Sequence, residues 1–305
     1  MQVDPDETNA LLLLVSGDGI PLLVRSYGEV CTPPSAAVGV TSALYHAARR
    51  ENDGSVDLQL LALETMHRSI VYEMTPIDLL MVFASDKPCG GCPSNDAMIR
   101  QMLRTVFDAV VLLLGERNLR DWDASKLRAA IAKQVEVVDT IITTFHIDPR
   151  FVLGRPVRDI VAYRQLDGID VGKSGSLVQG AWLENGELVG EYFQPNGPKI
   201  LEAEELLLLT VLGECVGRRE CNYTHYIGCV HLARTQIATK VVIRSSSKGP
   251  LITFIGIFGS QAEDDKTLKE MADKLLLCRA KARVREIGSP LKNVPTTLIW
   301  FVAVN

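Results

Sequence analysis

At 305 residues the chain is longer than one usual core, and a working size of roughly 100–200 residues per domain gives two domains. Its composition, 47% hydrophobic and 23% charged, excludes a mostly disordered polypeptide. A formal net charge of -5 excludes the overall basic field that draws nucleic acid or anionic lipid, so no nucleic acid is expected as a partner.

The predicted elements begin with a hairpin. Residues 11–16 are apolar almost throughout, as a strand covered on both faces would be, and return as residues 20–26 after a turn through Gly17, Asp18 and Gly19. From residue 34 to residue 50 the composition becomes helical, with Val38, Leu44, Ala47 and Ala48 making a narrow face of small side chains. Three β-rich stretches follow, at residues 56–63, 68–74 and 77–83. Ile99, Met102, Leu103, Val106, Phe107, Val110, Leu113 and Leu114 then recur at steps of three and four, which predicts an amphipathic helix lying on the sheet. A further helix, capped by Asp123 or Ser125, carries Leu127, Ile131, Val135, Val138, Ile142 and Phe145 inward. Short turns between consecutive strands make the sheet mainly antiparallel, with one helix on one face and a helix pair on the other.

Residues 149–176, rich in Arg, Asp and Gly, read as a link, and the same order then repeats. A second hairpin runs over residues 177–184 and 187–193 about Asn185-Gly186, the strongest short hairpin signal. Helix is expected over residues 203–212, strands near 223–232, 237–244 and 251–258, and a last helix from 264 to about 285 bearing Leu268, Met271, Leu275, Cys278 and Ala282. Domain one is thus residues 1–148 and domain two residues 177–288; residues 289–305 hold a linker and an apolar strand, 298–304, that fits the start of a third unit.

Seven cysteines, an odd number spread along the chain, argue for reduced thiols in the cytoplasm. The acidic start lacks the positive charge of a signal peptide, and no apolar run reaches the roughly 18–20 residues of a membrane helix, so direct membrane insertion is not expected.

Candidate chemistry is sparse. Residues 168–174, GIDVGKS, have three residues between the glycines where a phosphate-binding loop needs four, and read as a linker. Cys89 and Cys92 could supply half of a metal or redox site, but no second pair stands at zinc-finger spacing, and a surface loop accounts for them as well. Cys221, His225, Cys229 and His231 share one strand face, and at about 3.3 Å per residue the outer pair stands too far apart for one ion. His46 and His67 are isolated. No serine-nucleophile elbow, zincin helix or dinucleotide fingerprint is present, so neither covalent catalysis nor a cofactor is expected.

The doubled order, the opening hairpin, the helix over residues 101–115 and the segment 182–189, WLENGELV, resemble longin-domain proteins. The resemblance lies nearest the planar cell polarity effectors, in the group that also holds the Mon and Hermansky-Pudlak longin proteins. It implies an α+β fold of tandem longin, profilin-like domains, each a five-stranded mainly antiparallel sheet with one helix on one face and one or two on the other. It also implies pairing with an Inturned-like longin protein, association with a Fritz-type WD-repeat protein, and guanine-nucleotide exchange on a Rab-family small GTPase at the cilium base. By position in such pairs, Val38, Val40, Ala43, Leu44 and Ala47 of the first helix, with Leu58, Leu60 and Ala62 of the following strand, would meet the partner; filling the domain's own core is the competing account of the same residues. An adaptor that binds trafficking peptides along a sheet edge is the second expectation from this architecture.

Overall fold

Two sheets with one strand order carry the fold. The computed structural model describes residues 9–29, 34–50, 60–86, 96–158, 164–167, 177–194, 197, 200–217, 223–233, 238–246, 252–259, 264–277 and 283–285. In the first module β1 (Ala10–Val15) and β2 (Pro21–Tyr27) precede helix α1 (Pro34–Arg50), and β3 (Ala62–Glu64), β4 (Arg68–Met74) and β5 (Leu80–Asp86) follow it. They form an antiparallel sheet in the order β2-β1-β5-β4-β3.

Helices α2 (Asp96–Leu114), α3 (Glu116–Asp121), α4 (Ala124–Ala132), α5 (Val135–Thr144) and α6 (Pro149–Leu153) lead through β6 (Arg164–Asp167) to the second module. There β7 (Leu177–Glu184), β8 (Glu187–Phe193), helix α7 (Ala203–Gly217), β9 (Tyr223–His231), β10 (Ala238–Ser246) and β11 (Ile252–Phe258) repeat the order as β8-β7-β11-β10-β9. Helix α8 (Asp265–Leu277) and β12 (Arg283–Arg285) close the described chain.

Five antiparallel strands are thus common to both modules, but the second sheet has seven: β6 adds parallel to β8, and β12 pairs with β6. Both additions lie where the sequence predicts something else. β6 comes from the expected link, which also holds α6, and β12 takes Arg283–Arg285 out of the expected last helix, which ends at Leu277.

Both hairpins stand where the turn residues put them. Asn185 and Gly186 take φ of 51° and 82°, the left-handed pair that matches the twist of the flanking strands. The unbroken apolar run of β1 is divided between two cores. Leu11, Leu13 and Val15 face α1 with Tyr45, Tyr72, Leu80 and Val82, whereas Leu12 and Leu14 join the larger core with Met81 and Phe83.

Other boundaries differ from the expectation. Ile77 lies in the turn closed by Thr75 and Leu79, where Asp78 takes φ of 61°, so β5 begins at Leu80. The single helix predicted over 127–145 is two, broken at Lys133 and Gln134; the break keeps Leu127, Ile131, Val138, Ile142 and Phe145 buried, which is why the periodicity hid it. Asp123 is the cap, accepting the Lys126 amide at 2.9 Å. The stretches 51–59 and 298–304 lie outside the described residues.

Helix α7 explains how the modules meet. Leu206, Leu207, Leu208, Leu209, Val211 and Leu212 are all buried, so the middle of the helix has no polar side and its carboxylates, Glu204, Glu205 and Glu214, stand toward its ends. It lies on β9, β10 and β11 of its own sheet, and α5 of the first module packs against it while α2 reaches β9. The buried Thr140 hydroxyl of α5 meets the Cys215 thiol of α7 at 3.3 Å. One hydrophobic core therefore runs through both modules, and α8 covers the far face of the second sheet. Among the described residues no helix is long and apolar enough to cross a membrane.

Candidate partner-binding surface

Helix α1 turns two apolar faces outward from its axis, and its own sheet covers one of them. Val38, Thr41, Ser42 and Tyr45, spaced at three and four, are buried against β1, β4 and β5. Tyr45 stacks on Tyr72 with ring centroids 6.0 Å apart. Burial pushes the Tyr72 phenol above its usual pKa, and among the described residues its hydroxyl has no hydrogen-bond partner.

The opposite face carries Val40, 60% exposed, and Leu44, 40% exposed, with Ala43 and Ala47 also open to solvent. Positions 40, 43, 44 and 47 form one stripe on the helical repeat. A surface helix ordinarily shows charge on that side, yet no Asp, Glu, Lys or Arg occurs from Pro34 to Ala48. Gly39 is open as well, and a side chain there would meet nothing within 4 Å.

The residues named from sequence therefore divide. Val38 belongs to the module's own core, 6% exposed; Val40, Ala43, Leu44 and Ala47 form the outer stripe. Leu60 is partly buried and packs on the core beneath α1, Ala62 is half-buried in β3, and Leu58 lies outside the described residues. β3 is an edge strand, bonded to β4 alone among the described residues. Beside it Leu61 is 48% exposed, an apolar position the sequence reading missed. Alternation about Leu60 was the available signal, since neighbours in an extended chain face opposite ways.

The other candidates do not converge. Cys89, Cys92, Cys221 and the 168–174 loop lie outside the described residues, and among the described residues no group of three or more His, Cys, Asp or Glu side chains could hold a metal ion. His225 and His231 sit in different surroundings on β9. Burial lowers the pKa of both; for His225 the Lys269 and Arg244 charges lower it further. His231 instead packs where Gly115 ends α2, so closely that a Cβ at Gly115 would lie 2.7 Å from the imidazole. His46 flanks α1 edge-on to Tyr45, and His67 is exposed in the turn between β3 and β4.

No protein-family model matches the chain, and no curated protein matches it.

Proposed function

We propose that this chain is a scaffold subunit of the longin type, a planar cell polarity and ciliogenesis effector similar to Fuzzy. It pairs with an Inturned-like longin protein, with a Fritz-type WD-repeat protein as a further associate, and the pair promotes nucleotide release from a Rab-family GTPase at the cilium base. One observation carries the reading. The helix between the second and third strands of a module is α1 in the first and α7 in the second, and α7 has its outer face covered by α5 while α1 leaves Val40 and Leu44 open. Among the described residues the same element is sealed within the chain in one module and bare in the other, and its cover in this reading is supplied in trans.

Exchange asks for no reactive side chain. A factor that binds the nucleotide-free GTPase better than the loaded one shifts the equilibrium toward release, and a flat composite surface is sufficient for that. The sequence elements shared with longin proteins, the doubled strand order and the uncharged α1 support this class over a covalent enzyme.

The experiment is co-purification with an Inturned-like protein followed by release of a fluorescent guanine nucleotide from a panel of Rab GTPases. The pair is expected to form and to accelerate release from at least one Rab. A chain that ignores that partner and leaves every release rate unchanged refutes the reading.

A further inference from the structure

A groove of about 830 Å³ lies where the modules join, between α2 and α3 on one side and the start of α7 with the end of β9 on the other. Its floor is apolar: the half-buried Val111 of α2 lines it with Leu112 of the same helix, Leu208 of α7 and Leu232 beyond β9, three leucines no more than 5% exposed. Its walls are acidic. Asp108, Glu116, Glu202, Glu204 and Glu205 line it, against Arg117, Arg120 and the imidazole of His231.

Both arginines already serve carboxylates of their own helix, Arg120 donating to Glu116 at 2.6 Å and Arg117 to Asp121 at 3.3 Å. Glu205 is occupied by the backbone, accepting the Glu202 amide at 2.8 Å and the Ala233 amide at 2.7 Å. Asp108 and Glu204 have no ion pair among the described residues. Although Asp108 keeps much of its surface open, loss of water around its carboxyl and then the charge of Glu204 across the groove push its pKa up, against a smaller opposing pull from the Arg104 charge. Like charges are set facing one another over an apolar floor.

Exposed apolar side chains stand next to the residue that approaches this wall. A side chain at Gly154 would come within 3.6 Å of Glu204, and just before it on α6 stand Val152, 66% exposed, and Leu153, 37% exposed. Ile147, 63% exposed, precedes the same short helix.

We propose that this junction groove docks a basic amphipathic segment of a partner protein, its aliphatic residues seated on the floor and shelf and its Lys or Arg side chains satisfying Asp108 and Glu204. The charge of the walls selects the occupant. Nucleic acid and anionic lipid are repelled, and a small cation would leave Val152, Leu153 and Ile147 uncovered, whereas a helix with a cationic flank and an aliphatic face meets both kinds of surface. The groove is of the size in which several side chains, rather than one ion, are enclosed. It shares no residue with the outer stripe of α1, so the two surfaces can be occupied independently.

The test uses the full chain and a fluorescein-labelled helical peptide of Lys, Leu and Ala with Lys on one flank, read by fluorescence anisotropy. Binding is expected, weakening as salt rises, and falling about tenfold or more in the Asp108→Lys, Glu204→Lys double variant. That variant is expected to fold, because both positions are exposed and neither makes an ion pair among the described residues; should the new Lys–Lys repulsion unfold it, Asp108→Asn with Glu204→Gln, which removes the repulsion, gives the same reading with a smaller loss. Leu44→Asp is expected to leave the peptide affinity unchanged, which separates this groove from the α1 face. Failure of the peptide to bind, equal binding of its Lys-to-Glu twin, equal binding by the charge variants, or complete displacement by spermine each overturns the proposal.

Discussion

Arg150 of α6 donates to Glu214 of α7 at 2.6 Å, a bond that ties the segment after the first module to the second across 64 residues of chain. The same guanidinium is held by Asp148 at 2.6 Å and reaches the Gly186 carbonyl at 3.3 Å, and the three charged side chains are 13–15% exposed. Burial works against the charge, but the hydrogen bonds Arg150 donates to Asp148 and Glu214 outweigh it and leave Arg150 more firmly protonated than usual. Arg150→Ala strands two largely desolvated carboxylates, whereas Glu214→Gln leaves the Asp148 pair in place. The first is expected to lose about 3–5 kcal/mol in urea unfolding and the second clearly less. Equal losses would show that the cluster does not act as one unit.

Gly186 fits this cluster for a reason of space as well as of backbone angle. A Cβ there would stand 2.6 Å from both the Arg150 Nη1 and the Glu214 Oε1, and φ is 82°. Gly186→Ala is therefore expected to cost more than the roughly 1 kcal/mol of left-handed strain alone, and part of that excess should vanish in an Arg150→Ala background. Additive costs in the double-variant cycle would argue that the hairpin tip and the ion cluster are independent.

Elements whose reasons are local could be read from sequence: both hairpins, the α2 stripe and the β1 run follow from turn residues and periodicity. What escaped depends on distant partners. Nothing near Leu206–Leu209 says that α5 lies on the far side of α7, and Arg150 and Glu214 are joined only once that packing exists. The break at Lys133 has no Gly or Pro to announce it and preserves the inward register, so a periodic pattern reads straight through it. The α1 stripe was half legible. The small apolar residues stood out, but on a helix with apolar residues on both sides only the fold decides that Val38 turns inward and Val40 outward.

That division of α1 gives opposite expectations for neighbouring positions. Val40→Asp with Leu44→Asp is expected to shift folding stability by no more than about 0.5 kcal/mol per site, since both are exposed, and to abolish pairing with an Inturned-like protein on gel filtration. Val38→Ala should do the reverse, costing about 2 kcal/mol from the core while leaving the outer stripe able to pair. Pairing that survives both Asp substitutions would remove α1 from the partner interface.

Two groups at the module junction make stability depend on pH in opposite directions. The folded chain holds the Asp108 proton more tightly than the unfolded chain does, because burial and Glu204 raise that carboxyl above its ordinary 3.8. Between those two values the folded state binds more protons, so this contribution is full below 3.8 and is lost as pH rises through the raised pKa. His231 behaves conversely: burial lowers it below the ordinary 6.5, the unfolded chain takes up the proton first on acidification, and stability present above 6.5 is lost as pH falls through the depressed pKa. His225, lowered by burial and by Lys269 and Arg244, adds to the same acid loss. Urea midpoints measured from about pH 4 to about pH 8 should therefore lose the fall toward neutrality in Asp108→Asn and keep the loss on acidification. His231→Gln should weaken only the acid-side loss, His225 supplying the rest. If Asp108→Asn leaves the whole profile unchanged, the carboxyl does not sense Glu204 across the groove.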